Sequence, residues 1–347
     1  MKKIPIVLLL IGIALIGFAQ AKTEAFSISI PEGKISYSLY SHIRLLDIRR
    51  DTTDFGIIQK GAFNRKEKVI AETPFSVQFA NVIDSLVDNT AGTGELFLVL
   101  RQLRFAEVTG AMSERGFFHF RGSLFAKESE SYKPLASLDT VVIISAMDVT
   151  KKLLRTGSAN MFEFIKANLT KKPATNESFT IGELWKIDSI EKSLLPLYTT
   201  AVFKDGAYKD FTSLVNQTPD NENLKVKFSK NGNMESIQLK NKKNKYDEIE
   251  LNRWFAFVYR GRLCVISGND ICPVEKRDHD LYFIGKAFVP ATSGEVLTAG
   301  LFFGLIGVLA ASGGSSDFFE LRLDHLSGGF IQVRPAKQKE MKPFRRD

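Results

Sequence analysis

The sequence predicts an α+β protein: an N-terminal domain with helices on an antiparallel sheet, then a β-rich domain containing an apolar Gly-rich helix. Three observations carry this. Apolar residues alternate along most segments, as strands require, and Phe is over-used, with 28 residues against 8 Tyr and 2 Trp. Two segments instead repeat apolar residues at helical spacing. A polar run with a proline stop, Lys171-Lys172-Pro173-Ala174-Thr175-Asn176, divides the part that holds these helices from a part dominated by strands.

Residues 1–21 have the layout of a secretory signal peptide. Lys2 and Lys3 form the positive start, Ile4 to Phe18 the apolar run, and Ala19-Gln20-Ala21 the small-residue cleavage site. The expectation is cleavage after Ala21 and a periplasmic or extracellular place in the cell envelope. The rest divides into 22–172, 180–334 and a basic tail, 335–347, that lacks apolar periodicity and is expected to be disordered.

In the first domain, strands are expected at 26–30, 43–48, 57–58, 69–70, 95–105, 116–126 and 135–144. The strongest helix covers 74–88. Thr73 is placed to cap it, Pro74 fits its first position, and Phe75, Phe79, Val82, Ile83 and Leu86 share one side. A second helix is expected over 148–169, with Asp148 as cap and Gly157 as an interruption. Beyond the boundary, Asn231-Gly232 between alternating segments predicts a hairpin over 225–239. Further strands are expected at 254–259, 263–266, 281–284, 319–323 and 330–333. Val296 to Ala311 is apolar and Gly-rich and is expected to be a helix that either packs between protein surfaces, through the Gly300 and Gly304 face, or lies on a membrane, with Gly300, Phe302, Phe303 and Gly304 as its points of contact. At sixteen residues it is short for a span, and the hairpin after it needs the preceding sheet, so the chain is expected to return to the same domain. Cys264 and Cys272 are the only cysteines; an oxidising compartment and a turn at 267–269 predict a disulfide between them.

Composition is that of a globular protein, 44% hydrophobic and 25% charged. The net charge of +8 leans toward anionic surfaces. No aromatic-basic motif for nucleic acid is present, so nucleic acid is not an expected partner. The four histidines, His42, His119, His279 and His325, form no metal-ligand spacing. His119 should face away from Phe118 and Phe120, toward solvent. In Asp278-His279-Asp280, consecutive residues of a strand point to opposite faces and converge poorly on an ion. Ser189-Ile190-Glu191-Lys192 matches S-x-x-K without the partner motifs of penicillin-recognising enzymes. No nucleophile elbow or phosphate loop occurs, and no cofactor or metal is expected. Lys240, Lys242, Lys243 and Lys245 either meet anionic head groups or protect an edge strand; the acids Asp247, Glu248 and Glu250 close behind favour protection.

Two resemblances enter here. Asp205-Gly206-Ala207-Tyr208-Lys209-Asp210-Phe211, followed by Asn216 and Pro219, resembles a D-G-x-Y-x-x-F…N-x-x-P element. That element marks an uncharacterised family of secreted or envelope proteins of Bacteroidota-type bacteria. Trp254, Phe255, Phe257 and Gly261, then Tyr282 to Gly285, then Asp324 and Gly328 follow in the family's order, over roughly residues 195–334. The cysteines and Phe302-Phe303 depart from it. Asp205, Gly206, Tyr208 and Phe211 are read as a binding or packing element, with packing favoured. In the N-terminal half, Leu46-Asp47-Ile48-Arg49-Arg50-Asp51 with Gly56 resembles the opening strand of envelope transporter-accessory proteins. Together these imply a non-enzymatic cell-envelope protein acting as a binding or assembly adaptor, with envelope protein partners. The alternatives are an envelope glycan or lipid hydrolase and a membrane-tethered structural protein.

Overall fold

The computed structural model describes residues 22–60, 65–109, 114–230, 234–267, 270–286 and 318–344. The signal segment 1–21 and the apolar segment 296–311, with Gly300, Phe302, Phe303 and Gly304, lie outside the described residues. Among the described residues no helix is long and apolar enough to cross a membrane. Helices and many strands make the protein a mixed α+β fold.

The N-terminal half is built on β1 (Thr23–Phe26), β2 (Tyr40–Asp47), β3 (Gly56–Lys60), β4 (Arg65–Ala71), β5 (Gly94–Thr109), β6 (Glu114–Glu128) and β7 (Ser131–Ala146). They form one seven-stranded sheet in the order β1-β4-β3-β5-β6-β7, with β2 also beside β5. The long strand β5 carries β2 along its first half and β3 near its end, both parallel to it. β1 and β4 are parallel as well. The sheet is therefore mixed, not antiparallel as the sequence suggested. Alternation reports which face a side chain takes but not strand direction, and parallel partners need only a crossover; β2 reaches β5 through β3, β4 and the first helix.

That helix, α1 (Phe75–Leu86), buries Phe75, Phe79, Val82, Ile83 and Leu86 as its spacing predicts. They pack on Leu96, Leu98, Leu100 and Phe118 of the sheet, at about 1.5–3 kcal/mol for each large side chain fully withdrawn from water. α2 (Thr150–Lys166) covers the same face. Neither helix has the side-chain cap expected of it. Pro74 and Val149 hold the cap positions, and the Thr73 carbonyl accepts instead from Gln78 Nε2 at 3.0 Å. Gly157 does not interrupt α2. A Cβ there would stand 2.5 Å from Phe105 and 2.9 Å from Phe118, so the glycine lets helix and sheet approach closely.

The second half opens with short helices, α3 (Ile181–Leu184), α4 (Ile187–Ser193) and α5 (Pro196–Thr199). Next come β8 (Gly206–Tyr208), α6 (Phe211–Val215), β9 (Leu224–Phe228), β10 (Met234–Lys240), β11 (Tyr246–Glu248), β12 (Ala256–Tyr259), β13 (Arg262–Ser267) and β14 (Asp270–Pro273). The chain ends with β15 (Glu275–Arg277), β16 (Asp280–Lys286), β17 (Phe318–Leu323) and β18 (Phe330–Ala336). Among the described residues three sheets result: β11-β10-β9, β14-β13-β12-β8 and β15-β16-β17-β18. The middle one has a core on each face. Tyr208, Val258, Val265 and Cys272 meet Phe283, Leu321 and Phe330 on one side; Phe257 and Cys264 meet Ile237 and Phe344 on the other.

Lys286 and Phe318 are paired across β16 and β17. The strands on either side of residues 287–317 therefore belong to one sheet. The tail also departs from expectation. Gln338–Glu340 form a 3-10 turn, and Phe344 is buried at 4% exposure, with Arg262 4.3 Å from its ring centroid. One aromatic anchor has no periodicity to betray it.

The predicted disulfide is absent: both cysteines are free and buried. Val265 pairs with Cys272 and Cys264 with Pro273. This one-residue offset sends the two thiols to opposite faces of the sheet, into separate cores. Burial pushes both thiols up, Cys272 to about 12. Thiol labelling without reductant should give no reaction in native protein and two labels after unfolding; zero labels after unfolding would contradict the register.

Candidate functional site

Two faces of the long β5–β6 pair behave differently. The face bearing Leu98, Phe118 and Phe120 lies under the helices. The other bears Phe97, Val99 and Phe125, which pack on Leu184 and Ile187 of α3 and α4, and between them it carries charge. The register of β5 on β6 slips between Leu100 and Gln102. This bulge sits at Arg101 and re-aims the strand there.

Arg101 donates to Glu191 through Nη1 (2.8 Å) and Nη2 (2.5 Å) and to Asp188 Oδ1 at 2.5 Å. His325 Nε2 lies 2.9 Å from the same Glu191. On β6, Arg121 holds Asp324 with two parallel bonds, 3.1 and 2.7 Å, and donates from Nε to Asp139 at 2.9 Å. His119 Nε2 is 2.7 Å from Asp139. Lys192 Nζ and Arg322 Nη1 meet Asp280 at 2.6 and 3.3 Å. Arg121, Asp324, His325 and His119 are all buried. His119 does face away from Phe118, but not into solvent, because the second half covers that face.

The network decides the protonation states. Burial alone would raise Glu191, but His325 and Arg101 hold it down to about 2. Burial is likewise outweighed at Asp324, where Arg121 and Ser327 hold the carboxyl well below its usual range. Burial pushes His119 down, against the pull of Asp139. Asp188, Glu191 and His325 bring ligand atoms within 4.8 Å of one another, a donor set that suits a divalent ion. Arg101 already supplies the positive charge there and bonds both carboxylates, so the set is satisfied by the protein itself. Carboxylates held ionised in this way are poor general acids.

A cleft of about 530 Å³ lies between the middle and last sheets, lined by Arg262, Arg277, Tyr282, Phe283, Met341 and Phe344 among others. Its carboxylates are also engaged: Glu320 by Arg277 and Arg334, Glu340 by Arg334, and Glu275 by Lys342.

The D-G-x-Y element packs. Asp205 accepts from Arg260 N (2.9 Å) and Gly261 N (2.7 Å) and so closes the β12–β13 turn. Gly206 has φ +144°, and a Cβ would meet Pro219 at 2.5 Å. Tyr208 is fully buried, its hydroxyl donating to Lys204 O at 2.5 Å. Phe211 lies against Gly328 and Phe255. Cys264 and Cys272 sit in two cores and share no chemistry. Asp278 and His279 take positive φ in the β15–β16 turn, while Asp280 turns into the seam; the three do not converge. Sequence reading missed Arg101 and Arg121. Their one signal was a polar series, His119, Arg121 and Ser123, opposite a phenylalanine series, and such a face ordinarily meets water.

Glu107 stands apart. It is 1% exposed and accepts from Gln59 N at 2.9 Å, with the Thr150 hydroxyl also beside its carboxyl. Burial pushes it up to about 7.

Stability should therefore fall at both ends of the pH scale. The seam contributes fully above the ordinary glutamate value of 4.5 and loses Glu191 as pH falls toward 2. Glu107 costs nothing below 4.5 and its full penalty, on the order of 3 kcal/mol, above 7. Denaturant unfolding across pH should show Glu107→Gln flattening the neutral slope and leaving the acid slope unchanged. A neutral slope untouched by that substitution would contradict the assignment.

No protein-family model matches this chain. No curated protein matches it. Among solved structures it is similar to a crystal structure of a Xanthomonas campestris protein of the family DUF330, at 9% identity and a TM-score of 0.27, over 42% of this chain and 92% of that one. A superposition this loose carries neither fold nor activity from one protein to the other.

Proposed function

We propose that the chain is a non-enzymatic cell-envelope protein, exported with cleavage after Ala21, that acts as a binding or assembly adaptor. The observation that supports this most is the surface of the segment joining the two halves. Eleven large apolar side chains are exposed among the described residues, and four of them, Ile181, Trp185, Leu194 and Val202, fall within residues 181–202. Scattered single exposures need no explanation; this concentration does. Ile181 and Trp185 follow one helical turn and share a side. The inner side of the same segment is fixed by Leu184, Ile187, Glu191 and Lys192, so the exposed residues are held on a rigid base. An exposed Trp is the residue type that most often anchors a protein interface.

The hydrolase alternative asks for two carboxylates free to share one ligand. In the cleft and in the seam they are spent on arginines and lysines. The finer expectation for 296–311, an apolar helix that stays with its own domain and meets the membrane through Gly300, Phe302, Phe303 and Gly304, belongs to the same reading. The pairing of Lys286 with Phe318 supports the return.

A photocrosslinking residue placed at Leu194 in the full chain, irradiated in the intact envelope, should give a discrete protein adduct that Trp185→Ala abolishes without lowering Tm. The same residue at exposed Lys151 should give none. Equal labelling at both positions, or an adduct indifferent to Trp185, would refute the adaptor surface.

A further inference from the structure

Residues 225–245 hold seven lysines and one acid, Glu235, a net +6 in a chain whose total is +8. The fold gathers them on one surface. Val226 pairs with Ile237 and Lys225 with Gln238 across β9 and β10; Lys240 pairs with Tyr246 across β10 and β11. Side chains alternate along strands. One face of this sheet thus carries Leu224, Val226, Ile237 and Leu239, with Ile237 and Leu224 packed toward Phe257 and Phe344. The opposite face carries Lys225, Lys227, Lys240 and Tyr246, with a single acid, Glu248, beside Gln238. The Lys225 ammonium stands 3.8 Å from the Tyr246 ring centroid, as a shared face requires. Lys242, Lys243 and Lys245 extend the charge along the exposed β10–β11 turn.

Among the described residues most of this charge has no ion-pair partner. Among the described residues, Lys227, Lys240, Lys242, Lys243 and Lys245 make no ion pair. Of the acids that follow in sequence, Asp247 accepts from Asn241 Nδ2 at 2.7 Å and Glu250 pairs with Arg253 at 2.8 Å; Glu248 alone stands on the lysine face, and it leaves most of the charge there uncompensated. Edge protection would place lysines along an unpaired strand backbone. Here they cover a face and a turn and include the central strand β10.

The chemistry of the partner follows from the residue type. Residues 225–245 contain no arginine, so planar, two-pronged recognition of a defined phosphate is not built in. Lysines are flexible, hydrated point charges that suit a diffuse array of phosphates. Stacking on nucleic-acid bases needs open aromatic faces, yet Tyr246 is covered by Lys225 and Phe228 stacks inward on Phe344. We propose that this sheet face docks on the surface of an anionic phospholipid bilayer. The inference does not rest on the adaptor reading.

Co-sedimentation with vesicles tests it. The full chain should bind phosphatidylcholine vesicles containing phosphatidylglycerol, release with rising salt, and ignore phosphatidylcholine alone. Each lysine at such a surface contributes about fivefold in affinity, so Lys240→Gln/Lys243→Gln/Lys245→Gln should weaken binding by about 100-fold. Lys225→Gln/Lys227→Gln should weaken it by about 25-fold. A control with equal charge loss elsewhere, Lys151→Gln/Lys152→Gln/Lys172→Gln, should bind like the parent. Equal binding to both vesicle types would overturn the proposal, as would equal losses in patch and control variants. So would capture of a DNA duplex, lost in the patch variants, by a chain that binds no vesicle.

Discussion

The bidentate pair between Arg121 and Asp324 is the contact on which the relation between the two halves depends. Arg121 stands midway along β6 of the N-terminal sheet and Asp324 in the β17–β18 turn of the last sheet, and both are buried. Two charges out of water repay their desolvation only with near-ideal geometry and further bonds. Asp139 and Ser327 supply those bonds. A rotation of one half on the other would strand both charges in a dry seam, so the pair works as a register pin. Arg101 with Glu191, and Lys192 with Asp280, repeat the arrangement nearby. They draw in α4, which carries the connecting segment with it.

This economy explains what the surface is left to do. Carboxylates that would serve a hydrolytic site are held ionised by guanidinium and ammonium groups, in the seam and in the cleft alike. Two surfaces stand out among the described residues: the apolar outer side of residues 181–202 and the lysine face of β9 to β11. Both sit on supports with packed undersides.

The sequence made the elements legible where one face of each meets a core. The α1 stripe, the β5–β6–β7 alternation and the 225–239 hairpin all follow from side-chain period, and the mixed α+β class follows from them. Strand direction was not legible, because parallel and antiparallel strands alternate alike. Register was not legible at β13–β14, where one residue separates a disulfide from two thiols on opposite faces. The D-G-x-Y element was legible as packing, since a turn-forming Asp-Gly and two aromatics each had a structural task. The seam was not. Arg121 and His119 lie on a polar face that water would satisfy equally well, and their partners lie some two hundred residues away for Arg121 and on the adjacent strand for His119. Asp324 showed itself only as a turn residue, and the lysine face only as its 240–245 part, because Lys225 and Lys227 join it through strand pairing.

The central claim is that the halves are locked by buried ion pairs, and a double-mutant cycle on Arg121 and Asp324 tests it most directly. Arg121→Ala and Asp324→Ala should each cost about 3–5 kcal/mol in denaturant unfolding. The double variant should cost less than their sum by about 2–3 kcal/mol, within a single cooperative transition. Single costs below about 1 kcal/mol, or strictly additive ones, would show that the pair does not hold the halves together.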